Sequence, residues 1–332
     1  MRLPRFDYLG PDTLEAALDL LAFHGDDAKI LAGGTDLLVR MKKRLLKPKV
    51  LISLKALNEL SYIKKQDGYI KIGARTSLAD IIASDLIQKE AQALFQACEK
   101  IGAITIQHFT GTIGGNILQN NRCHHYNQSQ FHRSGRQACH KDGGKICYAR
   151  EEADRCNSTC QSDGATALMA LGASIILAQK GGERTVDLAN FYTTDGIMPH
   201  ACESHELLKE IIIPVQGGQS AYHRLAYRSA IDYPIVCAGV LLKPSPKNEI
   251  EDARIVVGAM SRSPLFLAKA SSSLKGKRFT DMAAFKKAAD DSMNSAAPFA
   301  VHNVGATLEY RCAMVSQMVL RALEQAAAAI KA

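Results

Sequence analysis

From Leu118 to Ser162 the chain has no hydrophobic periodicity; Asn, Gln, His, Arg, Gly and Cys dominate. A structureless loop of this length does not suit a compact domain, so something other than an apolar core must order it. Five of the nine cysteines lie here: Cys123, Cys139, Cys147, Cys156 and Cys160, separated by 15, 7, 8 and 3 residues. The others, Cys98, Cys202, Cys237 and Cys312, sit singly among apolar neighbours, as small buried hydrophobes do. The start, MRLPRFDYLG, has charged and turn residues where a signal peptide needs an apolar run, which predicts a cytoplasmic protein. In a reducing compartment, clustered cysteines more often hold metal or do redox chemistry than form disulfides. Four thiolates suit a tetrahedral zinc or a cubane iron–sulfur cluster, and the metal would supply the folding energy. Zinc sites usually show a CxxC pair, and the tightest pair here is Cys156 and Cys160, a CxxxC. His124, His125, His132 and His140 read either as zinc ligands or as solvated loop residues. Iron–sulfur, zinc and free thiols all stay open on the residues alone.

The rest of the chain is ordinary globular sequence, 47% apolar and 22% charged, and 332 residues suggest two domains. The longest mostly apolar run, Ala167 to Ala178, is too short for the roughly 18–20 residues of a membrane helix. A net charge of +8 reads as nucleic-acid binding, an acidic protein partner or merely a soluble surface. The basic segment from Arg40 to Lys49 lacks the interleaved aromatics of a nucleic-acid platform and reads first as a solvated helix face.

Patterning predicts alternating α and β structure at the start: a capped helix after Asp12-Thr13, a strand over 29–32, a helix through Leu37, Leu38, Met41 and Leu45, and a strand over 50–54. A strand over 69–73, a helix over 77–83 and one long helix over 87–101 follow. After the aperiodic stretch come a helix from 165 and a strand over 174–178. Four strands over 206–214, 221–230, 235–243 and 253–260 precede helices over 263–274, 281–294 and 306–330, an α+β order. The boundary is expected near Gly181-Gly182, giving domains 1–180 and 181–332.

Two glycine loops stand out. Ala32-Gly33-Gly34-Thr35 lies between a strand and a helix, where backbone N–H groups and a helix N-terminus can meet an anion. Gly111-Thr112-Ile113-Gly114-Gly115-Asn116 repeats that character about eighty residues later. Each alone reads as a tight turn; together they suit a pyrophosphate gripped from two sides. Neither matches GxGxxG or a Walker A loop. A side chain at Gly34 or Gly114 is expected to enter the pyrophosphate space.

Ala32-Gly33-Gly34-Thr35-Asp36, Thr112-Ile113-Gly114-Gly115-Asn116 and Ser162-Asp163-Gly164-Ala165-Thr166-Ala167-Leu168, in this order, resemble the FAD-binding medium subunits of the xanthine dehydrogenase and carbon monoxide dehydrogenase family of molybdenum hydroxylases. Glu206-Leu207-Leu208, before a strand ending at Pro214, resembles that family's C-terminal flavoprotein domain, so the likeness spans the chain. Arg122-Cys123, Tyr126-Asn127-Gln128-Ser129, Arg133-Ser134-Gly135 and Asp154-Arg155-Cys156 resemble the insert of the β subunit of 4-hydroxybenzoyl-CoA reductase, which carries an extra [4Fe–4S] cluster.

The resemblance implies an N-terminal α/β FAD-binding domain of the vanillyl-alcohol-oxidase (PCMH) type, with an iron–sulfur insert over 118–162, followed by an α+β domain of the CO dehydrogenase flavoprotein type. It implies that Lys29, Ile30, Leu31, Ala32, Gly33, Gly34, Thr35 and Asp36, with Thr112, Ile113, Gly114, Gly115 and Asn116, surround the FAD pyrophosphate. Asp163 would contact FAD, Leu208 would pack beside the flavin, and Arg224 stands where some members place a flavin-side Lys. Cys123, Cys139, Cys147 and Cys156 match the cluster ligands, and Cys160 does not. No residue of this chain would be catalytic, because the substrate lies on another subunit. The implied partners are a large molybdopterin subunit and a small subunit with two [2Fe–2S] clusters, as a dimer of heterotrimers with no nucleic acid or membrane. Ferredoxin would feed electrons through the [4Fe–4S] cluster and FAD for reductive dehydroxylation of an aryl-CoA. An oxidative hydroxylase of aldehydes or N-heterocycles, a reductase of another aryl-CoA and a zinc-stabilised binding module remain as alternatives.

Overall fold

The computed structural model describes residues 2–215, 217–302 and 305–331. Three sheets follow one another along the chain. In the first, β1 (Asp7–Leu9), β2 (Ala28–Leu31) and β3 (Val50–Ser53) are parallel, in the order β1-β3-β2. The crossover helix Leu14–His24 starts where the Thr13 hydroxyl accepts from the Ala16 amide at 3.2 Å, and stops at Gly25, φ 50°. Its inner residues Ala17 and Leu21 bury with Val50 and Ile52. β2 runs directly into Gly33-Gly34. The helix after it, Leu37–Lys42, is shorter than expected and leaves Leu45 outside; Arg44 turns the chain at φ 58°.

The second sheet is antiparallel: β4 (Ile63–Gln66), β5 (Tyr69–Gly73), β6 (Ser174–Gln179), β7 (Gly182–Asp187) and β8 (Leu207–Pro214), ordered β4-β5-β8-β6-β7. The boundary expected at 180/181 is corrected here. Lys180 and Gly181, the latter at φ 85°, make the two-residue turn of the β6–β7 hairpin. β8 then pairs with both β5 and β6, so the sheet is complete only at Pro214.

The third sheet is a meander of β9 (Gln219–Leu225), β10 (Val236–Pro244), β11 (Ile250–Gly258) and β12 (Leu265–Phe266). β10 is buried on both faces, which explains its unbroken apolar run. Val236, Ala238, Val240 and Leu242 meet residues of the helices Met282–Ala296 and Leu308–Lys331, while Cys237 and Leu241 join clusters on the other side. That other side receives the helix Asp163–Ala170, all of whose residues are buried.

Two helix expectations fail for identifiable reasons. The helix expected over 87–101 is two, Asp85–Glu90 and Gln92–Lys100, bent at Ala91 (φ −140°). Ser220 Oγ on β9 accepts from the Ala93 amide at 3.1 Å, and Gln96 Oε1 accepts from the Tyr222 amide at 2.7 Å, so the second helix is docked onto the third sheet. The helix expected over 263–274 shrinks to Ala268–Ser272, because Pro264 disfavours helix before it and Leu265 and Phe266 pair with β11. Residues 118–162 hold one short helix, Gln130–Ser134, and a single 3₁₀ turn, His140–Asp142. No helix among the described residues is long and apolar enough to cross a membrane.

The Asp163 helix lies against glycines. A Cβ on Gly258 would meet Thr166 Oγ1 at 2.2 Å and Cys237 Sγ at 2.6 Å. Gly258→Ala is therefore expected to overpack this interface and destabilise the protein by about 1–3 kcal/mol; a thermal melt checks it, and an unchanged midpoint would contradict the packing described.

Candidate functional site

The first and second sheets, the two glycine loops and the start of the Asp163 helix enclose a cleft of about 480 Å³, within the range of ordinary ligand sites. Most of the residues expected at a cofactor meet here. Lys29, Ile30 and Ala32 to Asp36 line it, as do Thr112, Gly114, Gly115, Asn116, Asp163 and Leu208. Three do not. Leu31 faces a separate cavity behind the first loop, Ile113 is fully buried in the apolar core, and Arg224 reaches the cleft only through Asp163.

The glycine loops press on each other. A Cβ on Gly33 would lie 1.7 Å from the Thr110 carbonyl oxygen, so only glycine allows the first loop to approach the second. The steric expectation for Gly34 and Gly114 is corrected: a Cβ on Gly34 (φ 72°) would meet Leu31 and Leu38 at 2.9 and 3.0 Å, and one on Gly114 the Ala74 carbonyl oxygen at 2.7 Å. Both would strike protein, not the cleft. Among the described residues, a Cβ on Gly115 would meet Thr112 Oγ1 alone, at 3.1 Å.

The second loop is tied to the Asp163 helix by one side chain. Asn116 Oδ1 accepts from Ser162 Oγ at 2.7 Å and from the Gly164 amide at 3.1 Å, while Ser162 Oγ accepts from the Ala165 amide at 3.0 Å as the helix cap. Asp163 then sits at the first turn, buried, with Tyr222 donating its hydroxyl to Oδ1 at 2.5 Å and Arg224 Nη1 donating at 3.3 Å. Burial pushes the Asp163 carboxyl up, and the Arg224 guanidinium opposes that shift. Among the described residues, two buried polar atoms here have no protein partner: Oε1 of Gln161, which lines the cleft, and Nη2 of Arg224. An orphaned acceptor on a cleft wall, as Gln161 Oε1 is, suits a polar ligand.

Sequence reading missed part of this wall. Arg40, Arg122, Arg228, Ile231, Asp232 and Tyr233 also line the cleft. Of the last four, Arg228 falls within the strand expected over 221–230 and the others in the gap before the next expected strand; β9 stops at Leu225, and Ile231 (φ 57°) donates its amide to the Gly102 carbonyl at 3.1 Å. The turn-forming Asp232 and Pro234 were the available signal.

A family profile described as the FAD binding domain in molybdopterin dehydrogenase matches residues 4–216. The chain belongs to this family. A second profile, the CO dehydrogenase flavoprotein C-terminal domain, matches residues 220–326; the two meet where the second sheet ends and the third begins. The molecule is thus an α+β protein with an N-terminal FAD-binding domain and a C-terminal flavoprotein-type domain. Similar proteins include the carbon monoxide dehydrogenase medium chain of Hydrogenophaga pseudoflava, 29% identical over 97% of each chain. The nicotinate dehydrogenase FAD-subunit of Eubacterium barkeri is 28% identical over 83% of this chain and 81% of the relative. A solved carbon monoxide dehydrogenase from Hydrogenophaga pseudoflava superposes with a TM-score of 0.79, at 27% identity and over 99% of both chains.

The cysteine stretch of this FAD-binding domain is ordered by polar contacts and a small apolar knot. Arg122 and Thr159 form an antiparallel bridge at its base. Lys141 Nζ donates to the Asn121 carbonyl (3.0 Å), Ser158 Oγ (3.1 Å) and the Gly196 carbonyl (2.8 Å). Cys123, Ala149 and Val301 pack together with Tyr126 and Cys147, and the His302 amide donates to the Ala149 carbonyl at 2.9 Å. Burial pushes the Cys123 thiol up to about 11, and Cys156 and Cys147 push the same way. Among the described residues, no three His, Cys, Asp or Glu side chains gather as ligands of one metal ion. Neither the zinc nor the iron–sulfur expectation is demonstrated by this arrangement.

Gly33→Ala is expected to force the loops apart and weaken FAD binding roughly tenfold or more, with a lowered melting temperature, since overpacking costs about 1–3 kcal/mol. Gly115→Ala should weaken FAD with little change in melting. Flavin absorbance after gel filtration and a thermal melt check both; full flavin retention in Gly33→Ala contradicts the close approach.

Proposed function

We propose that this chain, a subunit of a multi-subunit molybdenum oxidoreductase, is the FAD-carrying medium subunit of an oxidative molybdenum hydroxylase acting on an aldehyde or an N-heterocycle. A large molybdopterin subunit would hold the substrate, and a small subunit would carry [2Fe–2S] clusters. The observation that carries this reading is the cleft in which the two glycine loops, Asp163 and Leu208 converge. The names of similar proteins point the same way: a nicotinate dehydrogenase FAD-subunit, carbon monoxide dehydrogenase medium chains and the aldehyde oxidoreductase FAD-binding subunit PaoB of Escherichia coli. FAD supplies a centre that exchanges electrons singly or in pairs.

The chain's own residues then have distinct tasks. Gly33, Gly34, Gly114 and Gly115 would bring backbone against the pyrophosphate. Asp163, held by Tyr222 and Arg224, would accept from a cofactor hydroxyl or ring N–H, and Gln161 Oε1 would take a further donor. Leu208 supplies an apolar wall that keeps water from the flavin.

A second reading, a 4-hydroxybenzoyl-CoA reductase-like complex fed by ferredoxin, is favoured by one feature, the cysteine insert. Cys123, Cys139, Cys147 and Cys156 would hold a [4Fe–4S] cluster, which supplies a one-electron centre. What supports this reading is four thiols within one insert, of which Cys147 and Cys156 act on the ionisation of Cys123. Nearby lies the Lys141 ammonium, drawn down to about 8 by burial and opposed in this by Cys156 and Cys123. A four-iron cubane needs thiols at its corners, more widely spaced than the ligands of one ion. Cys160 stands apart, its amide donating to the Ser261 carbonyl at 3.0 Å and its thiol raised by burial and by Asp163.

Purification of the assembled complex separates the two readings. Reduction of its flavin by an aldehyde or N-heterocycle supports the first; turnover of an aryl-CoA with reduced ferredoxin, and none with those substrates, sinks it. Iron analysis tests the ligand set: Cys156→Ala should lose about four irons per chain relative to the parent, as one [4Fe–4S] cluster requires, and Cys160→Ala none. Equal iron in both variants contradicts the assignment.

A further inference from the structure

The cleft and the cysteine insert meet at Arg122. Its backbone closes the base of the insert, exchanging hydrogen bonds with Thr159 at 2.8 and 2.9 Å, and the next residue is Cys123. Its side chain leaves the insert and enters the wall of the cleft. There Nη2 donates to Asp36 Oδ1 at 2.6 Å, and the guanidinium lies over the Tyr233 ring, 5.0 Å from its centre. The Asn120 amide, at 3.4 Å, donates to the other oxygen of Asp36. The two ion-pair side chains are only 15% and 21% exposed, so the pair is screened less than a surface one.

Each partner belongs to a different part of the cleft. Asp36 immediately precedes the helix Leu37–Lys42 and follows the Gly33-Gly34 turn. Tyr233 stands on the segment that crosses from the third sheet to Gly102. One residue therefore joins the end of the first glycine loop and the crossing segment, through its guanidinium, to the base of the insert, through its backbone.

We propose that Arg122 is a positioning residue that couples cofactor binding in the cleft to order in the cysteine insert. Its three contacts coexist only when loop, crossing segment and insert base are all in place, so occupation of the cleft by FAD favours the folded insert. By linkage the folded insert favours FAD by the same factor. The inference rests on the cleft being the FAD site and does not require any metal in the insert.

Hydrogen exchange on the full chain, with and without saturating FAD, tests it. FAD binding is measured first, by flavin fluorescence; a chain that binds no FAD removes the underlying reading. With binding established, FAD is expected to slow exchange about tenfold in residues 120–127 and 156–160, a typical coupling, while strand β11 and the helix Met282–Ala296 change little. In Arg122→Gln, loaded with excess FAD, that slowing should vanish. Asp36→Asn, which removes the charge from the other side of the pair, should lose most of it and serves if Arg122→Gln does not fold. Equal slowing in the parent chain and in either variant, or no slowing in the parent, overturns the coupling.

Discussion

The burial of the helix Asp163–Ala170 between the second and third sheets is the constraint on which the rest of the molecule depends. It is short, eight residues, and every one is buried. A helix can lie this close to a sheet only where the sheet has no side chain in the way, and Gly239 and Gly258 provide that space: a Cβ on Gly239 would meet Ala170 Cβ and the Thr166 carbonyl oxygen at 3.2 Å. Arg254 fastens the other end, donating to the Met169 and Ala170 carbonyls at 3.0 and 3.2 Å, which satisfies acceptors that a helix C-terminus leaves open. Because this one helix packs on both domains, their relation to each other and the position of Asp163 are decided together.

That position is electrostatically costly, and the surroundings offset the cost. A buried carboxylate without partners destabilises a fold by several kcal/mol. Asp163 has a phenol and a guanidinium from β9, in the C-terminal domain, and a helix N-terminus of its own. The domain that contributes no glycine loop thus supplies the counter-charge for the acid that the glycine-loop domain turns into the cleft. Tyr222 is consequently held as a donor, its hydroxyl pushed up by burial and by Asp163 itself.

The cysteine insert shows how a stretch without periodicity is nevertheless built. Lys141 occupies its interior and ties Asn121, Ser158 and Gly196 together. Arg262 and the Asn121 side chain link it to the end of the third sheet through Asn157 and the Arg262 carbonyl. Arg311, fully buried, donates to the carbonyls of Ile235, Val301 and Ala259, and so steadies the segments on which the insert rests. Hydrogen bonds to charged groups contribute more than neutral ones, and here long cationic side chains do what an apolar core does elsewhere.

What the sequence determined by itself is local. The Thr13 cap, the Gly25 stop, the two glycine loops and the long helices, read over 281–294 and 306–330 and observed over 282–296 and 308–331, follow from local signals. Their signals are dihedral preference, capping and periodicity, which need no distant partner. The tertiary structure decided the rest. β8 completes a sheet begun by β5, so a glycine pair that reads as a domain linker is a hairpin turn. Ser220 bends a helix that periodicity reads as continuous, from 127 residues away. Arg122 finds Asp36 across 86 residues of chain. No pattern in the neighbouring residues announces such pairings, because the free energy that selects them, burial shared between two surfaces and charges screened from water together, exists only once both surfaces have met.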